Sequence, residues 1–270
     1  MTDYRNQARE YLASAKAELA SSDNRRLKYA ALDLRFAVEA LTFDRATAYK
    51  SEMPPAEFET WQPRKLMALL LEIDPSADKD STIAVGIEET YGVLAPVMQS
   101  LGTESVFNLA LLKKHYDALG NYLHVPTLRQ MQNAPPSLDK LRERCLEIAG
   151  YVEKVLASPV LNATFGNFAT IECQNCGATL RKRIPHGVHD VRAQCFVCPA
   201  TYTITDAGDG QVAWQLDMVD VSCADKNCDQ VIHILRSELK AGSAWECPGC
   251  QGRNTLMLAV SHEPKAKPSP

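Results

Sequence analysis

Eight of the nine cysteines fall in four close pairs between residues 173 and 250, and no other feature restricts the fold of this chain as strongly. The pairs are Cys173-Gln-Asn-Cys176 with Cys195-Phe-Val-Cys198, then Cys223-Ala-Asp-Lys-Asn-Cys228 with Cys247-Pro-Gly-Cys250. In each unit eighteen residues (177–194 and 229–246) separate the two pairs, room enough for a β-hairpin between knuckles. Two or four residues between thiolates let one tight turn aim both sulfurs at a single ion, and four soft sulfurs in tetrahedral array are the ligand set of a structural Zn²⁺. All eight cysteines are therefore predicted metal ligands, holding two zinc ions. Gly177, Gly249 and Gly252 supply tight backbone geometry beside the sulfurs. The units repeat: Cys176, Cys195 and Cys198 recur 52 positions later, and Cys173 recurs 50 later, which implies a duplication with two residues inserted in one knuckle.

Four cysteines close a metal shell and leave no open position for a reacting water, so both sites read as scaffolding. His186, His189 and His233 are then not needed as ligands. Cys145, alone on a helical stretch, reads as a small core residue. Closely spaced thiols that hold metal suit a reducing compartment, the N-terminal residues lack the apolar core of a signal peptide, and no run of about 18 apolar residues occurs, so a cytoplasmic protein without a membrane span is expected.

Composition divides the chain. Residues 1–157 carry long helical patterns, whereas the cysteine-rich part has short β-prone runs such as Tyr202-Thr-Ile204 and Val231–Leu235. The expected architecture is α+β and multidomain: a helical bundle over 1–157, one zinc ribbon over 165–206, a second over 214–261, and a disordered tail over 262–270. Arg181, Lys182, Arg183 and Arg192 form a basic cluster in the first ribbon, a candidate nucleic-acid contact. Against it, residues 160–262 hold 8 Lys+Arg and 10 Asp+Glu, and each four-thiolate zinc centre adds about two negative charges. Contact with nucleic acid and contact with a protein both stay open for the ribbons. A formal net charge of −4 gives no electrostatic argument for nucleic acid, as a strongly basic domain would have.

Helices are predicted over Asp3–Ser21, Asn24–Lys50, Pro63–Ile73, Ser105–His124 and Ser137–Leu156; residues 81–102, with Gly86, Gly92 and Pro96, stay mixed. In the second helix Leu27, Ala30, Ala31, Leu34, Val38 and Leu41 make one apolar face, and Leu32, Phe36 and Phe43 make another, so the helix should be largely buried. Arg35 and Glu39, four apart beside Lys28, are spaced for an ion pair. On the helix ending at His124, Lys113, Asp117, Asn121 and His124 line up between two apolar stripes, flanked by Gly120, where close approach is allowed.

LKYAALDLRFAVEALTF followed by YDALGNYLHVP resembles the HEPN superfamily of helical bundles, nearest to HEPN-like domains found beside restriction and other defence genes. The resemblance covers about residues 1–157. It implies a homodimer formed by the helical domain, a place in a prokaryotic antiviral defence or toxin-type system, and action on RNA; active members are metal-independent ribonucleases with an Arg-x(4–6)-His motif. His124 matches the family histidine and Asn121 the polar residue near it. With Arg35 and Glu39 as partners, these are the candidate catalytic residues. The family arginine has no counterpart, because Leu119, Ala118 and Asp117 stand five to seven before His124. Cleavage through a 2′-hydroxyl needs a base and a cation for the phosphorane charge; only Lys113 or Arg35 offers that cation, with Asp117 opposing. The expected function is thus binding or sensing of nucleic acid, RNA foremost, with metal-independent ribonuclease activity centred on His124 left open because the family arginine is absent. The alternative is a dimeric adaptor whose ribbons recognise a protein.

Overall fold

The computed structural model describes residues 3–59, 62–125, 137–185, 188, 190–208 and 210–260. It divides into two compact units, Met1–Phe165 and Gly166–Pro270. The architecture is α+β, with helices in the first unit and mostly small antiparallel sheets in the second. The tail 262–270 lies outside the described residues.

The first unit packs α1 (Tyr4–Ala20), α2 (Leu27–Thr47), α3 (Pro55–Phe58), α4 (Pro63–Ile73), α5 (Leu109–Leu111), α6 (Asp117–Leu123) and α7 (Leu138–Leu156). Asp3 caps α1 by accepting the Asn6 N–H at 2.9 Å, and Ser137 caps α7 through the Lys140 N–H. Ala8, Leu12, Ala15 and Leu19 of α1 pack on the Leu27, Ala30, Ala31, Leu34, Val38, Leu41 face of α2 and on Leu141, Cys145, Ile148 and Val152 of α7. Each fully buried leucine contributes roughly 1.5–3 kcal/mol. Cys145 is fully buried, and burial pushes its thiol up to about 12, as a core residue should behave.

The second apolar face of α2 departs from expectation. Leu32 and Phe36 are each more than a third exposed and Tyr29 more so, while Phe43 of the same predicted face packs on the core beside Tyr4 at 5.3 Å; Phe36 rests against Tyr11 at 5.2 Å. The segment Ser105–His124 is also shorter as helix than its pattern suggests. Strand pairing runs to Glu104, Asn108 caps α5 by accepting the Leu111 N–H at 2.8 Å, and a π turn over Leu112–Tyr116 links α5 to α6.

Residues 81–104 form a hairpin arm, β1 (Ser81–Val85) against β2 (Gln99–Glu104), with a bulge after Ile83. Its base is fixed. Arg45 and Glu104 pair at 3.3 Å with both side chains buried, and Gly102 sits at φ +133° with the Pro159 ring where a Cβ would be. Because residues 159–163 pack on this base, they belong to the helical unit.

In the second unit a knuckle joins each of four antiparallel strand pairs. They are β3 (Asn167–Glu172) with β4 (Thr179–Ile184), β5 (Asp190–Gln194) with β6 (Thr201–Gly208), β8 (Met218–Ser222) with β9 (Val231–Leu235), and β10 (Ala244–Glu246) with β11 (Arg253–Thr255). The expected hairpin between knuckles is not formed: β4 and β5, like β9 and β10, belong to different sheets. The cysteine turn closes the hairpin itself. β7 (Gln211–Leu216) adds to β6, so the sheet of the first ribbon extends to Leu216.

Candidate functional site

The four knuckles share one backbone device. The first cysteine's N–H donates to the carbonyl five residues on, from Cys173 to Ala178 (2.8 Å), Cys195 to Ala200 (2.9 Å) and Cys247 to Gly252 (2.9 Å). Cys223 donates instead to Gln230, seven on, so the inserted pair of residues is absorbed inside the turn while the strand register survives. After Cys176 and Cys250 the chain turns left-handed, with Gly177 at φ 74° and Gln251 at φ 59°. The residue that meets this need in the last knuckle is Gln251, rather than either adjacent glycine.

The sulfurs of each set lie within 4.8 Å of one another. Cys173 and Cys198 are 3.7 Å apart and Cys176 and Cys195 3.6 Å; Cys223 and Cys250, like Cys228 and Cys247, are 3.7 Å apart. A tetrahedron with metal–sulfur bonds of about 2.3 Å has edges of about 3.8 Å, so an ion fits each set, whereas a disulfide needs sulfurs about 2.05 Å apart. Each cluster can therefore hold a metal ion through four cysteines.

A second layer around the sulfurs is duplicated too, and the sequence reading missed it. Tyr202 is buried; its hydroxyl donates to Cys173 Sγ at 3.3 Å and accepts the Gln174 N–H at 2.9 Å. Asn254, 52 positions on, is buried in the other centre, where it accepts the Ala224 N–H at 2.8 Å and holds its amide nitrogen 3.8 Å from Cys223 Sγ. Extending the 52-residue offset beyond the cysteines would have found the pair. The Tyr202 contact favours thiolate at Cys173. Burial pushes the Cys173 thiol up, but the Tyr202 hydroxyl and the N–H groups of Asn175 and Cys176 bring it down to about 6. The Cys250 N–H leads the groups that bring Cys247 down to about 7.

His233 is no ligand: its Nδ1 lies 2.6 Å from Asp220 on the neighbouring strand. His186 and His189 lie outside the described residues. Within the basic cluster, Arg181 and Arg183 stack on the Phe168 ring at 3.8 and 4.8 Å. Arg183 is buried, with its guanidinium packed over Gly166, so it serves the ribbon's interior; Arg181 and Arg192 are exposed and Lys182 is half-buried. The cluster is thus divided: Arg181 and Arg183 share one strand face, where Arg183 is buried by its packing over Gly166 and Arg181 stays exposed, and Lys182 lies on the other face.

In the helical unit Arg35 and Glu39 do not pair with each other. Tyr116 stands between them, donating its hydroxyl to Glu39 at 2.5 Å while the Arg35 guanidinium lies 4.2 Å over its ring. Burial first, and then this bond to Glu39, raise the Tyr116 phenol above its ordinary value. The Arg35 guanidinium also fills the space Gly120 leaves open, 3.1 Å from where a Cβ would stand. Arg35, Arg64, Lys65, Lys113, Tyr116 and Asp117 border a cavity of about 500 Å³ with Pro63, Ala68 and Leu109 in its wall. Arg64 pairs with Asp117 at 2.6 Å.

Asn121 and His124 do not border this cavity. Both are exposed, and His124 lies past the end of α6 in extended backbone (φ −97°, ψ 157°). The four candidate catalytic residues are therefore not gathered in one cleft. The polar strip divides along its axis, with Lys113 and Asp117 at the cavity and Asn121 and His124 about one to two turns beyond it. Arg64, Lys65 and Tyr116 were not foreseen, since the first two lie on another helix and the third reads as part of an apolar stripe.

No protein-family model, curated protein or solved structure matches this chain. No helix among the described residues is long and apolar enough to cross a membrane.

Proposed function

We propose that this is an RNA-binding protein in which an HEPN-like helical unit contacts the nucleic acid and two zinc ribbons act as metal-stabilised scaffolds. The observation that carries the reading is the cationic cavity. Four cations from three separate elements converge there against one lining carboxylate among the described residues, Asp117, although the chain as a whole is acidic. Phosphate contacts supply most sequence-independent affinity for nucleic acid, and a local cationic cluster suffices for them. Zinc is the proposed metal because closed shells of four thiolates with edges near 3.7 Å match its preferred geometry.

The geometry favours binding over cleavage. A base at His124 would need the substrate's 2′-hydroxyl held beside it and a cation for the developing charge, and the clustered cations lie at the other end of the polar strip. The test is RNA binding and metal-free RNA cleavage measured side by side for wild type, Arg35→Ala and His124→Ala. Binding that Arg35→Ala weakens, with no cleavage lost in His124→Ala, supports the proposal. Failure to bind any RNA would sink it.

A second reading, a non-enzymatic adaptor, is favoured by a different observation. Ile87, Tyr91, Leu94 and Val97 on the hairpin arm are 78–100% exposed, an apolar tip on a rigid base of the kind found at protein contacts. Co-purification of a stoichiometric protein, lost in a Tyr91→Ser/Leu94→Ser variant, would favour it.

A further inference from the structure

From the shape and charge of the Arg35 cavity we infer that it receives a phosphate monoester on a nucleoside, rather than the phosphodiester backbone of a strand passing by. The inference rests on the RNA-binding reading and narrows it to one chemical group.

Surfaces that track a single strand lay cations and stacking rings along a groove. Here the cations converge. Arg35 comes from α2, Arg64 and Lys65 from the first turn of α4, and Lys113 from the π turn, all around a cavity of about 500 Å³, a volume suited to one small ligand. Asp117 commits Arg64 by an ion pair. Among the described residues that leaves Arg35, Lys65 and Lys113 without an ion-pair partner in the cavity wall. Glu39, on the same helix as Arg35, is engaged by the Tyr116 hydroxyl. Lys65 and Lys113 are exposed and have no ionic or hydrogen-bond partner among the described residues.

Three cations without an acidic partner among the described residues suit a dianion better than a monoanion. A phosphate monoester carries about −1.5 to −2 at neutral pH, whereas a diester carries −1. The Arg35 fork is already ordered by its stack on Tyr116, so little side-chain entropy is lost when it donates to phosphate oxygens. α4 also begins at this cavity with no side-chain cap from Gln62, which adds potential of the same sign. Pro63, Ala68 and Leu109 give the wall an apolar part for the nucleoside, and the Asp117 carboxylate can accept a ribose or base hydrogen bond. The ligand's source is either a phosphorylated RNA end or a free mononucleotide.

The experiment uses the full zinc-loaded chain. Fluorescence anisotropy is read with short single-stranded RNAs labelled at one end and carrying either a phosphate or a hydroxyl at the other, with AMP and adenosine as competitors. The same set is run on a Lys65→Ala/Lys113→Ala variant, whose exposed substitutions should leave the melting temperature unchanged. We expect the phosphorylated end to bind about tenfold tighter, the size of one charge-assisted hydrogen bond, and the preference to vanish in the variant. Competition by AMP but not adenosine would identify the free nucleotide as a ligand; preference for the RNA end without AMP competition would assign the site to RNA termini. Equal binding of both RNAs by wild type, with a uniform loss in the variant, would overturn the monoester and leave RNA binding standing. Unchanged RNA binding by the variant would overturn the cavity as the site. No binding of RNA or nucleotide would overturn both readings.

Discussion

Replacing Tyr202 by phenylalanine tests the claim that buried groups behind the sulfurs tune each metal centre separately. The substitution keeps the ring, which packs edge-on against Trp214 at 5.9 Å, and deletes only the hydroxyl. Two interactions go: the donor to Cys173 Sγ at 3.3 Å, and the acceptor of the Gln174 N–H at 2.9 Å. An unsatisfied buried N–H costs about 1–3 kcal/mol. Because Gln174 is exposed on the knuckle, water can reach part of that deficit, so the lower half of the range applies. About 1.4 kcal/mol is tenfold in affinity, at the lower end of the roughly 10–100-fold effects found when a partner of a metal ligand is removed. The assay is stepwise competition for zinc with a chromogenic chelator, with total zinc counted by mass. We expect two zinc ions per chain, the first centre weakened about tenfold in Tyr202→Phe and the second unchanged. Asn254→Ala should give the mirror image, since it strips the acceptor from the Ala224 N–H. Affinities within twofold of wild type in both variants would refute the reasoning, as would an equal loss at both centres in either one.

Strong chelation at neutral pH should abolish the thermal transition of the ribbon unit and leave that of the helical unit in place, read by circular dichroism, because binding free energy at such centres is folding free energy. Arg45→Met should lower the stability of the helical unit by about 3–5 kcal/mol in chemical denaturation, since it leaves the Glu104 carboxylate buried without its cation; a loss below about 1 kcal/mol would contradict the buried pair. His115 is fully buried with neither ring nitrogen bonded, and burial lowers its pKa below the ordinary 6.5. The unfolded chain therefore binds the proton first, so stability should fall as pH drops below about 6.5, and His115→Leu should flatten that slope in melts from pH 7.5 to 5. Gly120→Ala should raise helix stability by about 0.5–1 kcal/mol yet weaken anion binding at the cavity, because its new methyl would stand 3.1 Å from the Arg35 guanidinium and displace it; unchanged binding by anisotropy would show that the guanidinium position is not used.

The cysteine pairs were legible because metal ligation is a local constraint. Two sulfurs on one turn need only the right spacing, and the repeat at 50–52 residues extends that certainty to the second unit. Helices with a strong single face, such as α1 and α7, were legible for a similar reason, since their period of 3.6 is written in the chain. Where a helix had two apolar faces, as α2 does with Leu34 and Phe36, periodicity did not say which would be covered. Likewise, Arg35 and Glu39 have the spacing of an ion pair, and only the arrival of Tyr116 from a distant segment decides that they share its ring and hydroxyl instead.

Sequence alone, then, determined the eight candidate metal-ligating cysteines, their grouping into two sets, and the division between a helical part and a strand-rich part. These depend on spacing, composition and short-range geometry. Tertiary structure decided that the hairpins close at the knuckles, that Tyr202 and Asn254 back the sulfurs, and that Arg35, Arg64, Lys65 and Lys113 meet at one cavity while His124 stays outside it. Each of these depends on groups from separate elements being brought together. The energies that bring them there come from burying apolar faces elsewhere in the unit, and the polar residues themselves carry no mark of where that packing will place them.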